Sequence, residues 1–188
     1  MLRSEYSFLF ADSLEGYLYP DTYRFDLDAG LLPALRRMLD RFDEKIVAPS
    51  ALEPKMLYDT LRLASIVERE ERTTMNKPIV AGILAKRLDE GMALGADATV
   101  CYAYRLTHDA CTPRFIAEHI TIASEYNTRN KLGLPPTPIS NVTDETFFAT
   151  FRPKASAYYY YLHDDAGIIR YARTLSEHNE NKRLYLGR

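Results

Sequence analysis

The sequence predicts an α+β domain, rich in helix, with a small sheet that includes a C-terminal β-hairpin. Apolar residues recur at helical spacing through 55–71 and 79–88, and "YYYYL-HDDAG-IIRYA" sets two short apolar runs around an Asp/Gly turn. Strands do not alternate strictly with helices, which argues against a doubly wound parallel sheet. A chain of 188 residues suits one domain and is long enough for a substantial core.

The elements follow in chain order. "SLEGYLYPDTYRF" (13–25) alternates apolar and polar residues around Pro20-Asp21 and reads as extended chain broken by a turn. A helix is expected from Leu31 to about Phe42, then a loop with helix-start character from Ser50 to Lys55. From Lys55 to about Glu71, Leu57, Leu61, Ala64 and Val67 fall on one side of a helix. In the next helix Pro78 suits the first turn, Ile79, Val80, Ile83, Leu84 and Leu88 form the apolar face, and Gly91 suits the stop. Residues 92–104 are less regular, and "PRFIAEHI" is a short amphipathic helix. "SEYNTRNKLGLPPTPISN" has three prolines and no period, so it reads as a long loop of the kind that often carries function. Asp144 to Arg152 reads as helix stopped by Pro153. After the hairpin, Thr174 and Glu177 have capping-box spacing at the head of a last helix.

Composition excludes more than it selects. The net charge of −2 gives no reason to expect nucleic acid or an anionic membrane as partner. Cys101 and Cys111 have neither a disulfide-framework pattern nor metal-site spacing; Cys101, in "TVCYAY", reads as a small core hydrophobe, and a disulfide between the two is possible but not indicated. No stretch approaches the roughly 18 apolar residues of a membrane span, and no signal peptide opens the chain, so it is expected to be soluble as it stands. Met1 nevertheless leads into sequence that reads like the middle of a protein. Dinucleotide and Walker glycine loops, HExxH, CxxC and GxSxG are missing, and the four histidines (108, 119, 163, 178) lack helical metal spacing. No cofactor or metal is expected; for an enzyme that leaves carboxylate acid–base chemistry. The competing class is a non-catalytic binding domain with a Tyr- and Asn-lined groove.

The candidate acids lie in "LASIVEREE" (63–71). Glu68 stacks one turn beyond Ala64, on the side of Leu57 and Leu61, with Arg69 pointing away. A carboxyl on an apolar wall is desolvated, keeps its proton longer, and can serve as general acid and then base. It can equally be a solvated residue paired with Arg72 at i+4. Glu71 also falls near the apolar side, so the wheel leaves both glutamates open. Glu15, in an expected strand, is either a second active-site carboxylate or an edge-strand charge. Asp97 and Thr99 either bind a ligand or close a turn; Tyr126 and Asn127 either address sugar hydroxyls and acetamides or brace their own loop. His178 on the last helix reads as a helix-surface or packing residue rather than a ligand.

Several segments together resemble one family. "LEGYLYPDTYRF" (14–25), "LASIVERE" (63–70), "VAGILAKRLDEGMALGADATVCYAY" (80–104), "SEYNT" (124–128), "GLPPTPISN" (133–141) and "RTLSEHN" (173–179) occur in the order and approximate spacing of the YceG-like, MltG-type endolytic murein transglycosylases. The resemblance implies a single catalytic domain over 1–188, without the family's usual N-terminal membrane anchor and LysM-like domain. It implies cleavage of the MurNAc-β-1,4-GlcNAc bond of nascent peptidoglycan by attack of the muramoyl C6 hydroxyl on C1, leaving a 1,6-anhydro end. It puts the catalytic glutamate on Glu68, with Glu15, Asp97, Thr99, Tyr102, Tyr126 and Asn127 as substrate contacts. One acid suffices in principle, because the nucleophile is on the substrate and no water needs activating. A hydrolytic muramidase and a peptidoglycan-binding module remain the alternatives. Peptidoglycan strands, peptidoglycan synthases and the periplasmic face of the inner membrane are the implied partners and location of the full-length protein. Two departures look structural: Ala98 stands where the family usually has Pro, and Val142 follows Asn141 where Pro is usual. The family's older label, aminodeoxychorismate lyase, would need a pyridoxal-phosphate lysine and phosphate cup that the sequence does not offer.

Overall fold

The computed structural model describes residues 2–25, 28, 30–107 and 109–187. His108, one of the four histidines, and Met1 lie outside the described residues. In chain order the elements are α1 (Leu2–Glu5), α2 (Leu31–Phe42) running through a π-helical turn (Asp43–Val47) into α3 (Ala48–Ser50), α4 (Pro54–Glu70), α5 (Lys77–Asp89), α6 (Asp97–Ala103), α7 (Pro113–His119), α8 (Asp144–Phe151), β1 (Tyr160–His163), β2 (Ile169–Ala172) and α9 (Leu175–Leu186).

The organising element is α4. It starts where Pro54 occupies the first turn after an extended Glu53, and stops where Glu71 returns to extended backbone. It is buried on two sides. Leu57, Leu61 and Ala64 join Tyr17, Leu39, Phe42 and Phe147 in one core. Leu63, Ile66 and Val67 join Val80, Leu84, Ala96 and Ile139 in the other. Each buried Leu or Ile is worth about 1.5–3 kcal/mol, so a helix serving two cores anchors the domain. The single apolar face expected from 57, 61, 64 and 67 is therefore half of the answer.

α5 and α8 pack on α4 and on each other. Gly82 makes this approach possible: a Cβ there would lie 2.1 Å from the Lys154 carbonyl oxygen, and the Lys154 N–H donates to the Pro78 carbonyl at 2.9 Å. In the hairpin Tyr161 pairs with Tyr171 and His163 with Ile169. Its turn is closed by Asp164, whose carboxylate accepts from the N–H groups of Ala166 and Ile168. The last helix is capped as its sequence implies: Thr174 accepts from the Glu177 N–H, and the Glu177 carboxylate accepts from the Arg173 N–H.

Three expectations are corrected. Residues 13–25 form turns and irregular chain, not strand, so Glu15 is not an edge-strand charge. Gly16 has φ +91°, and Tyr17 and Tyr19 bury into the first core rather than along a sheet. Residues 92–104 contain a helix, α6. Cys101 and Cys111 form a disulfide, with Cα atoms 5.6 Å apart; the turn after α6 brings the two together, which their spacing alone did not announce.

Candidate active site

The end of α4 releases three carboxylates into three environments. Glu68 is on the α8 side, with 23% of its side chain exposed. Its Oε2 accepts from the N–H and the hydroxyl of Thr143, both at 3.1 Å, and Lys77 Nζ stands 3.5 Å from Oε1. Thr143 is the N-cap of α8, its hydroxyl accepting from the Thr146 N–H. Glu68 thus fixes the cap and puts negative charge at a helix N-terminus, a favourable place for it.

Glu70 leaves on the other side, over the core of Leu63, Ile66 and Val67. Tyr161 Oη donates to its Oε2 at 3.0 Å. Burial pushes the Glu70 carboxyl above the usual carboxylate range, and the nearby charge of Asp97 pushes the same way; the Tyr161 hydroxyl, His163 and Arg129 pull against them and lose. The Tyr161 hydroxyl is in turn driven well above its ordinary value by burial and by Glu70.

Glu71 is 2% exposed. It accepts from the Thr73 N–H at 2.6 Å, and His163 Nε2 lies 3.1 Å away. Burial would raise its carboxyl, but the Thr73 N–H and His163 outweigh burial and hold it below the usual range. The hairpin's two-residue period explains the pairing: Tyr161 and His163 leave the same face and meet Glu70 and Glu71 respectively. Glu71 is interior, and Arg69, which the helical wheel points away from the apolar side, lines an open groove.

That groove is open, about 830 Å³, and is walled by Glu15, Arg69, Tyr102, Arg105, Tyr126 and their neighbours. Of the expected contact residues it brings together Glu15, Tyr102 and Tyr126. The Tyr102 hydroxyl donates to Glu15, and its ring lies 4.8 Å from that of Tyr126. Burial first, then Glu15, drive the Tyr102 hydroxyl up to about 12. Glu15 is set in place by Gly16, whose N–H donates to the Asn141 side chain at 2.9 Å and whose bare Cα lets Pro138 pack close. Neither Glu68 nor Glu70 is among the groove-lining residues; Arg69 between them is. An adjoining recess of about 30 Å³ runs between Arg69, Ala98 and Ile139, so its walls are next in sequence to Glu70 and Asp97.

The remaining expected contacts are placed elsewhere. Thr99 and Asn127 have 0% exposure. The Thr99 hydroxyl donates to the Ala96 carbonyl at 2.6 Å and meets Thr128 Oγ1 at 3.0 Å. The Asn127 amide donates to the carbonyls of Ile120 and Ile122, both at 3.0 Å. Both residues brace the loops behind the site. Asp97 opens α6 and pairs with Arg129, whose Nε is 2.9 Å away. Glu70 was not singled out in the sequence. Its signal was the second apolar face of α4: Glu70 stacks one turn beyond Ile66 just as Glu68 stacks beyond Ala64.

Fold and site together define an α+β domain whose central helix ends in three carboxylates beside an open groove. The chain belongs to the YceG-like family, which matches over residues 2–184. It is 31% identical over 177 residues to the endolytic murein transglycosylase of Bacillus subtilis, covering 92% of this chain and 48% of the relative. It is 27% identical to the endolytic murein transglycosylase of Streptococcus pneumoniae R6, covering 89% and 31% respectively. A crystal structure of a putative yceG-like protein from Listeria monocytogenes matches with a TM-score of 0.75 and 31% identity, over 89% of this chain and 54% of that one. The chain therefore spans about half the length of the Bacillus relative or less in the other case.

Proposed function

We propose that this domain is the catalytic part of an endolytic peptidoglycan lytic transglycosylase. Family membership and the similarity to two murein transglycosylases support the reaction class. The observation that carries the mechanism is the Glu70 carboxyl, raised by burial and by Asp97 and hydrogen-bonded to Tyr161. A general acid must hold its proton near the working pH. Glu70 is the acid whose carboxyl is raised in that direction. Glu68, which the family resemblance selects, has Lys77 and two Thr143 donors on its carboxylate. Both side chains are half-buried, and the family motif keeps Glu68 as the second reading.

In the proposed reaction the Glu70 carboxyl protonates the GlcNAc O4 as the bond from muramoyl C1 to O4 breaks. The muramoyl C6 hydroxyl attacks C1, and its proton passes to the Glu70 carboxylate, restoring the acid. No water is consumed, and the product ends in 1,6-anhydroMurNAc. Glu15, Tyr102 and Tyr126 would hold the strand in the groove, the tyrosine faces against sugar rings.

The Cys101–Cys111 disulfide supports action in an oxidising, extracytoplasmic compartment. Among the described residues no helix is long and apolar enough to cross a membrane. Anchoring at the periplasmic face of the inner membrane and contact with peptidoglycan synthases would belong to the full-length protein.

The test is digestion of purified glycan strands by the parent, Glu70→Gln and Glu68→Gln, with product ends read by mass spectrometry in ¹⁸O water. Anhydro ends lost in Glu70→Gln and kept in Glu68→Gln support the proposal. The reverse pattern returns the acid to Glu68. Reducing ends carrying solvent oxygen would mean a muramidase, and binding without cleavage a recognition module.

A further inference from the structure

The groove holds two cations for which no described residue supplies a counter-ion. Arg69, from the last turn of α4, and Arg105, just past α6, both line it. Other arginines near this part of the fold are engaged: Arg62 by Asp59 and the Leu134 and Pro135 carbonyls, Arg87 by the Leu94 and Tyr159 carbonyls, Arg129 by Asp97. Among the described residues, neither Arg69 nor Arg105 has a side-chain hydrogen bond or ion pair. Glu15, the one carboxylate among the described residues of the groove wall, is taken by the Tyr102 hydroxyl.

Arg105 is also held there at a cost. α6 ends in a double-bonded stop: the Arg105 N–H donates to the Tyr102 carbonyl at 2.8 Å and the Leu106 N–H to the Cys101 carbonyl at 3.1 Å. The residue at this point takes left-handed backbone and is most often glycine. Here it is arginine, at φ +56°. The Cys101–Cys111 disulfide ties down the turn that follows. A side chain is thus kept at a position where the backbone alone would favour none.

We propose that Arg69 and Arg105 form an anion subsite for the carboxylates of the peptide stem carried by the muramoyl residue at the groove. This rests on the glycan-cleaving reading above. Guanidinium forks match planar oxyanions in two-point fashion. On an intact murein strand the lactyl carboxyl is locked in the amide to the stem and the sugars are neutral, so the acidic stem is the part that supplies such a group. The subsite would make the enzyme distinguish strands with acidic stems from strands whose stem carboxylates are masked as neutral carboxamides.

The test compares cleavage of strands with free stem carboxylates and of strands whose stem carboxylates are converted to carboxamides, by the parent, by Arg69→Gln/Arg105→Gln, and by Arg69→Lys/Arg105→Lys. The parent should favour the acidic strands by roughly tenfold or more, the worth of a hydrogen bond to a charged group. The double Gln variant should bring that ratio near one, mainly through KM, and the double Lys variant should keep an intermediate ratio. Equal cleavage of both strands by the parent, or a ratio that the Gln variant retains, overturns the subsite while leaving the glycan reading intact. Cleavage of neither strand by the parent overturns the glycan reading, and the subsite with it.

Discussion

Glu68 and Glu70 are two residues apart on the last turn of α4 and lie in opposite kinds of surroundings. Glu68 meets α8, where a capping threonine gives it two donors and Lys77 gives it a cation. Glu70 meets the hairpin, where it has a tyrosine hydroxyl and, nearby, a second carboxylate. The first environment stabilises a charge and the second penalises it. Position along a helix therefore says little about a glutamate's chemistry; what faces it across the fold decides. The largest test of the contrast is catalytic. Glu70→Gln should lower glycan cleavage by about 10²–10⁴-fold, the usual worth of a general acid. Glu68→Gln should chiefly lower stability, by about 1–3 kcal/mol, because Lys77 loses its counter-charge and the Thr143 cap its charged acceptor. Cleavage assays paired with thermal melts separate the two outcomes. Equal kinetic losses would erase the contrast.

The groove adds a second way to sharpen it. The disulfide brackets residues 101–111, which include Arg105 and Leu106 of the groove wall but no part of the Glu68 or Glu70 surroundings. Cys101→Ser/Cys111→Ser should cost about 2–4 kcal/mol, the usual worth of a disulfide. If the groove and the acid are separate parts of the site, this variant should raise KM more than it lowers kcat at temperatures where it remains folded. A fall in kcat with KM unchanged would join the two regions.

What the sequence made legible was mostly local. The starts of α4 and α5 at Pro54 and Pro78, the Gly91 stop, the capped α9 and the hairpin turn all follow from residues within a few positions of one another. The groove residues Glu15, Tyr102 and Tyr126 were reachable from the family motifs. What escaped was pairing at long range. The partners of Glu70 and Glu71 arrive from the hairpin some ninety positions on, with separations of 91 and 92. Thr99 and Asn127 carry motif-like polarity, yet their hydrogen bonds turn inward, a distinction that residue type cannot make. The segment around Tyr17 alternates like a strand, but no neighbouring strand is present to pair with it among the described residues.

Glu71 offers a stability contrast with Glu70 of smaller size. Its carboxyl is held below the usual range, so its contribution is present above the ordinary value of 4.5 and lost as pH falls through the lowered one. Glu70, raised, has the opposite sign: its effect favours the fold below 4.5 and is lost as pH rises through its elevated value. Glu71→Gln should therefore cost about 1.5–3 kcal/mol at neutral pH, by loss of charged hydrogen bonds, and progressively less in acid. Denaturant titrations between pH 3 and 7 (roughly the window set by these shifts) would read the difference. A constant cost across that window would mean that Glu71 does not act through its charge.

The smallest effect concerns the tyrosine between the two behaviours. The Tyr161 hydroxyl donates to Glu70 and stabilises its ionised form, opposing burial and Asp97. Tyr161→Phe removes that donor and keeps the ring. The Glu70 carboxyl should then hold its proton to higher pH, and the alkaline limb of kcat/KM should move upward, by roughly half a unit to one unit for one hydrogen bond. The direction is the useful part. If Tyr161 served only to pack the hairpin against α4, the limb would stay in place while stability fell. If Glu68 were the acid, the limb would be insensitive to Tyr161 and would move instead with Thr143→Ala, which removes a donor from Glu68 and leaves Glu70 untouched.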